Sequence, residues 1–312
     1  MKLEPLPKLS QEMTQVREII LDLFRRIGIA DRFCFKGFDP LVKNSFADVI
    51  RTWDLGLPGH VLSKYERVAL FMATTSYHYT SVDFQVYIAL YTLLVLLVDD
   101  DIMPTHIIRE FPARLLDGRP QLHPILTHLT EQLTNVRQYF PLFCANLVTI
   151  NTLDFVNAEM FVRDEGGPMV QGRTGVGYID YIRVKNGLGE TYAAFIWPQS
   201  QFPETRRYVQ TFPYIAIYIP LINDIYSFHK ETMAAETENY VTQYRAAWTT
   251  SAIDSLREIA DRVADLHIKI DEILGDSPER RAWDMFCVGY TEFHLHSPRY
   301  RLGEIIPEYC LP

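Results

Sequence analysis

Apolar residues recur along most of this chain at the spacing of a single helix face. Met13, Val16, Ile19, Ile20, Leu23, Phe24 and Ile27 follow an i, i+3, i+4, i+7 stripe. Ile253, Leu256, Ile259, Val263, Leu266, Ile270 and Ile273 form a second stripe, and the preceding "SAID" offers Ser251 and Asp254 as a capping box. The same periodicity predicts helices over about 64–80, 84–98, 124–163, 178–197, 204–231 and 279–300. No run of short alternating segments with hairpin turns occurs, so strands are not needed. The predicted fold class is all-α.

Glycine and proline punctuate this pattern. Pro213 and Pro220 fall inside the 204–231 candidate, and each removes a backbone donor. They mark either a kink that aims the residues following it or a helix–loop–helix break. The stretch "EGGPMVQGRTGVG", 165–177, matches neither a P-loop nor a dinucleotide fingerprint, because no strand precedes it and no Lys-Ser/Thr pair follows. Helical periodicity continues on both sides, which predicts a flexible loop, a candidate lid, inside one domain over 1–312. "FQVYIALYTLLVLLV", 84–98, is shorter than the roughly 20 residues that cross a bilayer and runs into three aspartates. It reads as a buried helix, not a membrane span.

With 48% hydrophobic and 22% charged residues, the chain has material for a large core and none of the charge excess of disorder. Its net charge is −9 with Lys and Arg spread along the chain, which excludes a nucleic-acid partner. An acidic chain that binds an anion needs local Arg, Lys or metal ions to invert the field. Cys34, Cys144, Cys287 and Cys310 are far apart in apolar surroundings and are expected to be reduced core cysteines. "MKLEPLPKLS" has no apolar targeting region, so the expected location is cytoplasmic.

Two places carry candidate chemistry. The 84–98 helix ends in "VDDDIMP", and Pro104 stops it at or before Met103. Asp99, Asp100 and Asp101 therefore sit at a helix C-terminus, where the macrodipole and mutual repulsion disfavour negative charge. That arrangement invites a cation, and hard oxygen ligands suit Mg²⁺, which completes its shell with water and phosphate oxygens. Successive residues fan by about 100°, so all three cannot face one ion. In "LINDIYSFHKE", Asn223, Ser227 and Glu231 are four apart and share one narrow helix face. Their types rule out a thiolate or zinc site and fit Mg²⁺ or Mn²⁺. Singly, each motif has an ordinary alternative, an acidic helix end or a solvated face; two together favour metal.

The remaining candidates are weaker. His294 and His296 point to different helix faces, which argues against a zinc pair. Cys287 has no catalytic context. Phe84, Tyr87, Tyr91, Phe195 and Trp197 lie near the motifs in sequence, and core packing is the simpler role for each. Gly187 and Gly189 permit either a helix break or close helix packing.

The chain resembles the class I terpene cyclases, in particular fungal sesquiterpene synthases of the trichodiene synthase type. The resemblance rests on "DDDIM", on "NDIYSFHKE", which satisfies the pattern N-D-x-x-S-x-x-x-E, on "YIRVKNGLG" and on "PRYR". It implies a helical bundle around an apolar cavity, with three Mg²⁺ ions holding the diphosphate of an isoprenoid substrate. Asn223, Ser227 and Glu231 would chelate one ion, and Asp99 or Asp100, with Asp101 beside them, would serve the other two. Arg183, Lys230, Arg299 and Tyr300 match diphosphate-binding positions, with Asn223 adjoining them. Asp99, Asp100, Arg183 and Tyr300 are the implied ionising set. Farnesyl diphosphate is the implied substrate, a cyclic C15 hydrocarbon or alcohol the product, and a homodimer an open assembly state. One departure stands out: where the family often has another acid at the fifth position of the Asp-rich motif, this chain has Met103 or Pro104. Two alternatives are a prenyltransferase, which uses two Asp-rich motifs, and a catalytically inactive diphosphate-binding helical protein.

Overall fold

The computed structural model describes residues 9–35, 37–100, 102–166, 172–237 and 239–310. Its regular structure among these residues is helical throughout. The first apolar stripe is α1 (Gln11–Arg26), started by Ser10, whose side chain accepts the Met13 N–H at 3.1 Å. It buries Val16, Ile19, Ile20, Leu23 and Phe24 against α12 (Ala252–Leu274), the second stripe. There Ser251 caps as expected, accepting from the Asp254 N–H at 3.0 Å.

α3 (Gly59–Ser76) packs on α4 (Val82–Asp99) and on α13 (Pro278–His296), while α2 (Pro40–Ile50) and α6 (Pro124–Asn135) cover other sides of α4. α4 is apolar all round, as a helix enclosed by others must be. Among the described residues it is the one helix long and apolar enough to cross a membrane, but 78% of it is buried inside the protein. The helix is the centre of the core. At its N-terminal half Phe84, Tyr87 and Tyr91 pack with Phe140 and Phe195 at ring separations of 5.4–6.0 Å. These aromatic rings are core packing, as is Trp197, which stacks on Tyr208.

Proline and glycine end helices earlier than periodicity alone suggests. The 124–163 candidate is two helices, α6 and α7 (Leu142–Glu165), because Pro141, which cannot donate, caps α7. α5 (Thr105–Asp117) packs on α7. The 178–197 candidate divides into α8 (Val176–Asn186) and α9 (Gly189–Ile196), with Leu188 left-handed at φ 51° between them. The 204–231 candidate becomes regular only as α10 (Phe212–Met233): Pro213 lies in its first turn, and the helix continues through Pro220. The helix–loop–helix reading is therefore wrong. α13 stops at His296, before Pro298, so Arg299 and Tyr300 lie beyond it. α2, α5 and α11 (Tyr240–Trp248), short helices of 9–13 residues, went unpredicted.

Gly187 and Gly189 serve both the break and close packing. A Cβ on Gly189 would lie 2.2 Å from the Ala216 carbonyl oxygen, and one on Gly187 would lie 2.7 Å from Pro220 Cβ. Ala216 is four residues before Pro220, so its carbonyl has lost its helical donor, and Gly189 sits against it. All four cysteines are free. Cys144 and Cys287 are buried, but Cys34 is exposed and Cys310 half-buried, against expectation. The neighbouring Phe33 and Phe35 pack on the core, which turns Cys34 outward. The candidate lid, 165–177, has its middle, 167–171, outside the described residues.

Candidate active site

A cavity of about 150 Å³ opens beside the end of α4. Asp99, Arg183 from α8, Asn223 from α10 and Tyr300 bring polar groups to its wall, and Met72, Val95, Leu96, Phe155, Tyr192 and Phe293 make the rest largely apolar and aromatic. Four of the predicted site residues thus converge from four parts of the chain.

The end of α4 is held by cations from elsewhere. Arg163 of α7 donates to the carbonyls of Val98 and Asp99, the latter at 3.0 Å, satisfying groups the helix leaves open. Arg299 donates from both terminal nitrogens to the two oxygens of Asp100, each at 3.1 Å. Burial pushes the Asp100 carboxyl up, but the Arg299 bonds and charge and the Tyr65 hydroxyl outweigh it and hold the group below its ordinary value. Burial also pushes Asp99 up, reinforced by the charge of Asp100. Glu159, one turn before Arg163 on α7, is raised by burial and by the charge of Asp99. Asp101 lies outside the described residues.

The α10 side is organised differently. Arg183 forms a two-point pair with Asp224, Nε to Oδ2 at 2.9 Å and Nη2 to Oδ1 at 2.8 Å, and donates to the Pro220 carbonyl at 3.1 Å. Burial pushes Asp224 up to about 6 against the pull of Arg183. Asn223 donates from Nδ2 to the Tyr300 hydroxyl at 3.2 Å, and the same nitrogen lies 3.2 Å from His294 Nε2. Its Oδ1 faces Arg183 Nη2 at 3.5 Å. Burial depresses the His294 imidazole to about 3. Ser227 is buried, with one long hydrogen bond, 3.5 Å, to the Asp224 carbonyl. Glu231 Oε1 is 3.6 Å from Lys230 Nζ, while its buried Oε2 has no hydrogen-bond partner among the described residues. Lys230 also approaches Glu236 at 3.8 Å.

Ser227, Lys230 and Glu231 continue along α10 but do not line the cavity, and Asp100 and Arg299 engage each other beside it. Sequence reading passed over Asp224, although it stands inside the quoted motif, one residue from Asn223. It also passed over His294 as an orienting group, over Tyr65 on α3, and over Glu159 and Arg163, which form an i, i+4 pair on α7.

Among the described residues no three His, Cys, Asp or Glu side chains converge as a ready-made metal cage. Mg²⁺ does not need one, since one or two carboxylates with substrate and water oxygens suffice. The Asn223, Ser227 and Glu231 donors are all hard oxygens, and Glu231 Oε2, without a hydrogen-bond partner among the described residues, is a ligand atom available to the ion. These residues fit the ion.

Residues 49–309 match the family model described as trichodiene synthase (TRI5). Terpene synthase 29 from Postia placenta is 32% identical over 272 residues, covering 86% of this chain and 78% of that protein. Monoterpene synthase 25 from the same fungus is 29% identical over 297 residues, covering 94% and 88%. The crystal structure of linalool/nerolidol synthase from Streptomyces clavuligerus in complex with 2-fluorogeranyl diphosphate superposes with a TM-score of 0.61 at 14% identity, over 83% of this chain and 100% of that one. That likeness shows a shared fold. Together with the converging Asp99, Arg183, Asn223 and Tyr300, these matches place the chain in the trichodiene synthase family, all-α terpene cyclases that act as lyases on diphosphate esters.

Proposed function

We propose that this chain is a single-domain, Mg²⁺-dependent sesquiterpene synthase that ionises farnesyl diphosphate and closes the resulting cation to a cyclic C15 hydrocarbon or alcohol. The observation that carries this reading is one cavity whose wall joins Asp99, Arg183, Asn223 and Tyr300 to an apolar, aromatic surface. Asn223, Ser227 and Glu231 would hold one Mg²⁺, and Asp99 and Asp100, with Asp101 beside them, the other two. Bound Mg²⁺ supplies Lewis-acid neutralisation of the diphosphate.

The chain's own residues do the rest. Asp224 takes Nε and Nη2 of Arg183, leaving Nη1, which among the described residues has a 3.5 Å contact to Asn186, to donate to a diphosphate oxygen. Arg299 and Lys230 add positive charge where the leaving group gains negative charge, which favours ionisation over ground-state binding. Asp100 and Glu231 partner these two cations in the free protein, so diphosphate binding exchanges one anion for another. The apolar wall excludes water from the carbocation, and the faces of Tyr192, Tyr290 and Phe293 attract it by cation–π interaction.

A C10 substrate is the second reading. The cavity of about 150 Å³ is smaller than the ~300–1,000 Å³ of typical ligand pockets, and one close relative is named a monoterpene synthase. Incubation with geranyl, farnesyl and geranylgeranyl diphosphates, with and without Mg²⁺, followed by gas chromatography with mass detection, tests both. A Mg²⁺-dependent cyclic C15 product supports the proposal, whereas C10 products alone favour the second reading. No product from any of the three with folded protein overturns both.

A further inference from the structure

His294 entered the sequence only as half of an unconvincing zinc pair, yet it lies fully buried against Asn223. Four aromatic rings surround it: Tyr300 at 4.3 Å, Tyr290 at 4.6 Å, Phe293 at 4.7 Å and Tyr226 at 5.0 Å between centroids. Its Nδ1 is 2.7 Å from the Tyr290 carbonyl oxygen. A carbonyl oxygen can only accept, so Nδ1 carries the ring hydrogen and Nε2 presents its lone pair. The group 3.2 Å from that lone pair must therefore be a donor, the NH₂ of Asn223.

The far end of the same amide gives an independent check. Arg183 Nη2 lies 3.5 Å from it and has no acceptor atom, so the end facing Arg183 must be the Asn223 carbonyl. Both ends thus demand the same orientation. In that orientation the two Nδ2 hydrogens are spent on His294 Nε2 and on the Tyr300 hydroxyl oxygen. Oδ1, with one lone pair turned to Arg183, keeps the other for whatever else enters the cavity, and the Tyr300 hydroxyl, already an acceptor, keeps its own hydrogen to donate.

We propose that His294 is a positioning residue that sets the polarity of the Asn223 amide, holding Oδ1 out for a cation and priming the Tyr300 O–H as a donor. The role rests on the Mg²⁺ reading above. A flipped amide would present NH₂ to the cation and leave its carbonyl against the lone pair of His294. Outer partners that orient a ligand are typically worth about 10–100-fold in metal affinity or activity.

Two measurements test this. Long-range ¹H–¹⁵N correlation spectra of the imidazole in the native protein report the tautomer without any ligand; a neutral, Nδ1-protonated ring is expected, and an Nε2-protonated or doubly protonated ring would overturn the proposal. In the second, thermal stabilisation by Mg²⁺ with inorganic diphosphate is followed in wild type, His294→Phe and His294→Gln. His294→Phe keeps a ring in the aromatic cage but no acceptor, and should need about 10–100-fold more Mg²⁺ for half stabilisation. His294→Gln offers a carbonyl acceptor and should recover most of that loss. A Mg²⁺ requirement unchanged in His294→Phe would overturn the role of His294 while leaving the Mg²⁺ reading intact. Absence of stabilisation in the wild type would overturn both.

Discussion

The two oxygen-bearing motifs solve one problem in different ways. Asp99 and Asp100 stand where α4 runs out, and their positions depend on side chains from other elements: Arg163 on the helix-end carbonyls, Arg299 and Tyr65 on Asp100. Asn223, Ser227 and Glu231 stand inside an unbroken helix, whose backbone bonds already fix their spacing. Their surroundings refine orientation, with Asp224 on Arg183 and His294 on Asn223. A helix interior is preorganised, whereas a helix end can be reset by its partners. The first motif is therefore the responsive side of the cavity and the second the rigid side.

The largest effects should come from the rigid side. Asn223→Ala or Glu231→Gln should reduce turnover to background, and with Glu231→Gln the thermal midpoint of the free protein should change little, as steady-state product analysis alongside thermal denaturation would reveal. Near-normal product from either variant would remove α10 from the metal site. Asp224→Leu strips the buried Arg183 guanidinium of its partner and should destabilise by about 3–5 kcal/mol in urea unfolding. A loss below about 1 kcal/mol would mean that Arg183 is not anchored from α10.

Changes at the responsive side should be smaller. Arg163→Met removes charge-assisted bonds to the carbonyls of Val98 and Asp99 and should cost about 2 kcal/mol in the same assay, with the Mg²⁺ requirement rising as well. If stability falls but the Mg²⁺ requirement does not, Arg163 supports the helix without setting the carboxylates.

The smallest effect is on pH dependence. Glu159 is raised in the folded protein, so between its ordinary value of about 4.3 and its folded value the native state binds more protons than the unfolded chain. Stability from this group is complete below about pH 4 and declines as pH rises through that interval. Glu159→Gln should flatten the fall in thermal midpoint between about pH 4 and neutrality. An unaltered slope would show that Glu159 is not the buried acid beside Asp99.

Of the candidate residues, Asp99, Arg183, Asn223 and Tyr300 line the cavity, and the candidates were legible because their spacing is local. The four-residue steps of Asn223, Ser227 and Glu231, the aspartates ahead of Pro104, and Arg299–Tyr300 after Pro298 are one-dimensional patterns that a helix or its termination converts directly into geometry. Helix ends were less legible. Pro141 and the Gly187–Leu188 pair interrupt stretches whose apolar period runs straight across them, and hydrophobic period alone does not see a missing N–H or a left-handed residue. Asp224 and His294 escaped for another reason: a carboxylate in a motif and a histidine near a helix end look alike whether they face solvent or a partner 41 or 71 residues away.

What the sequence by itself determined is the all-α class, the enclosed α4, and the identity and order of the oxygen and cation residues, since these follow from periodicity and residue chemistry. Only the tertiary structure decided which of them meet. It paired Asp100 with Arg299 and Arg183 with Asp224, and it turned the Asn223 amide between His294 and Arg183. Those choices depend on directions and distances between helices. Such quantities arise only when buried apolar faces pack and each buried donor must find an acceptor.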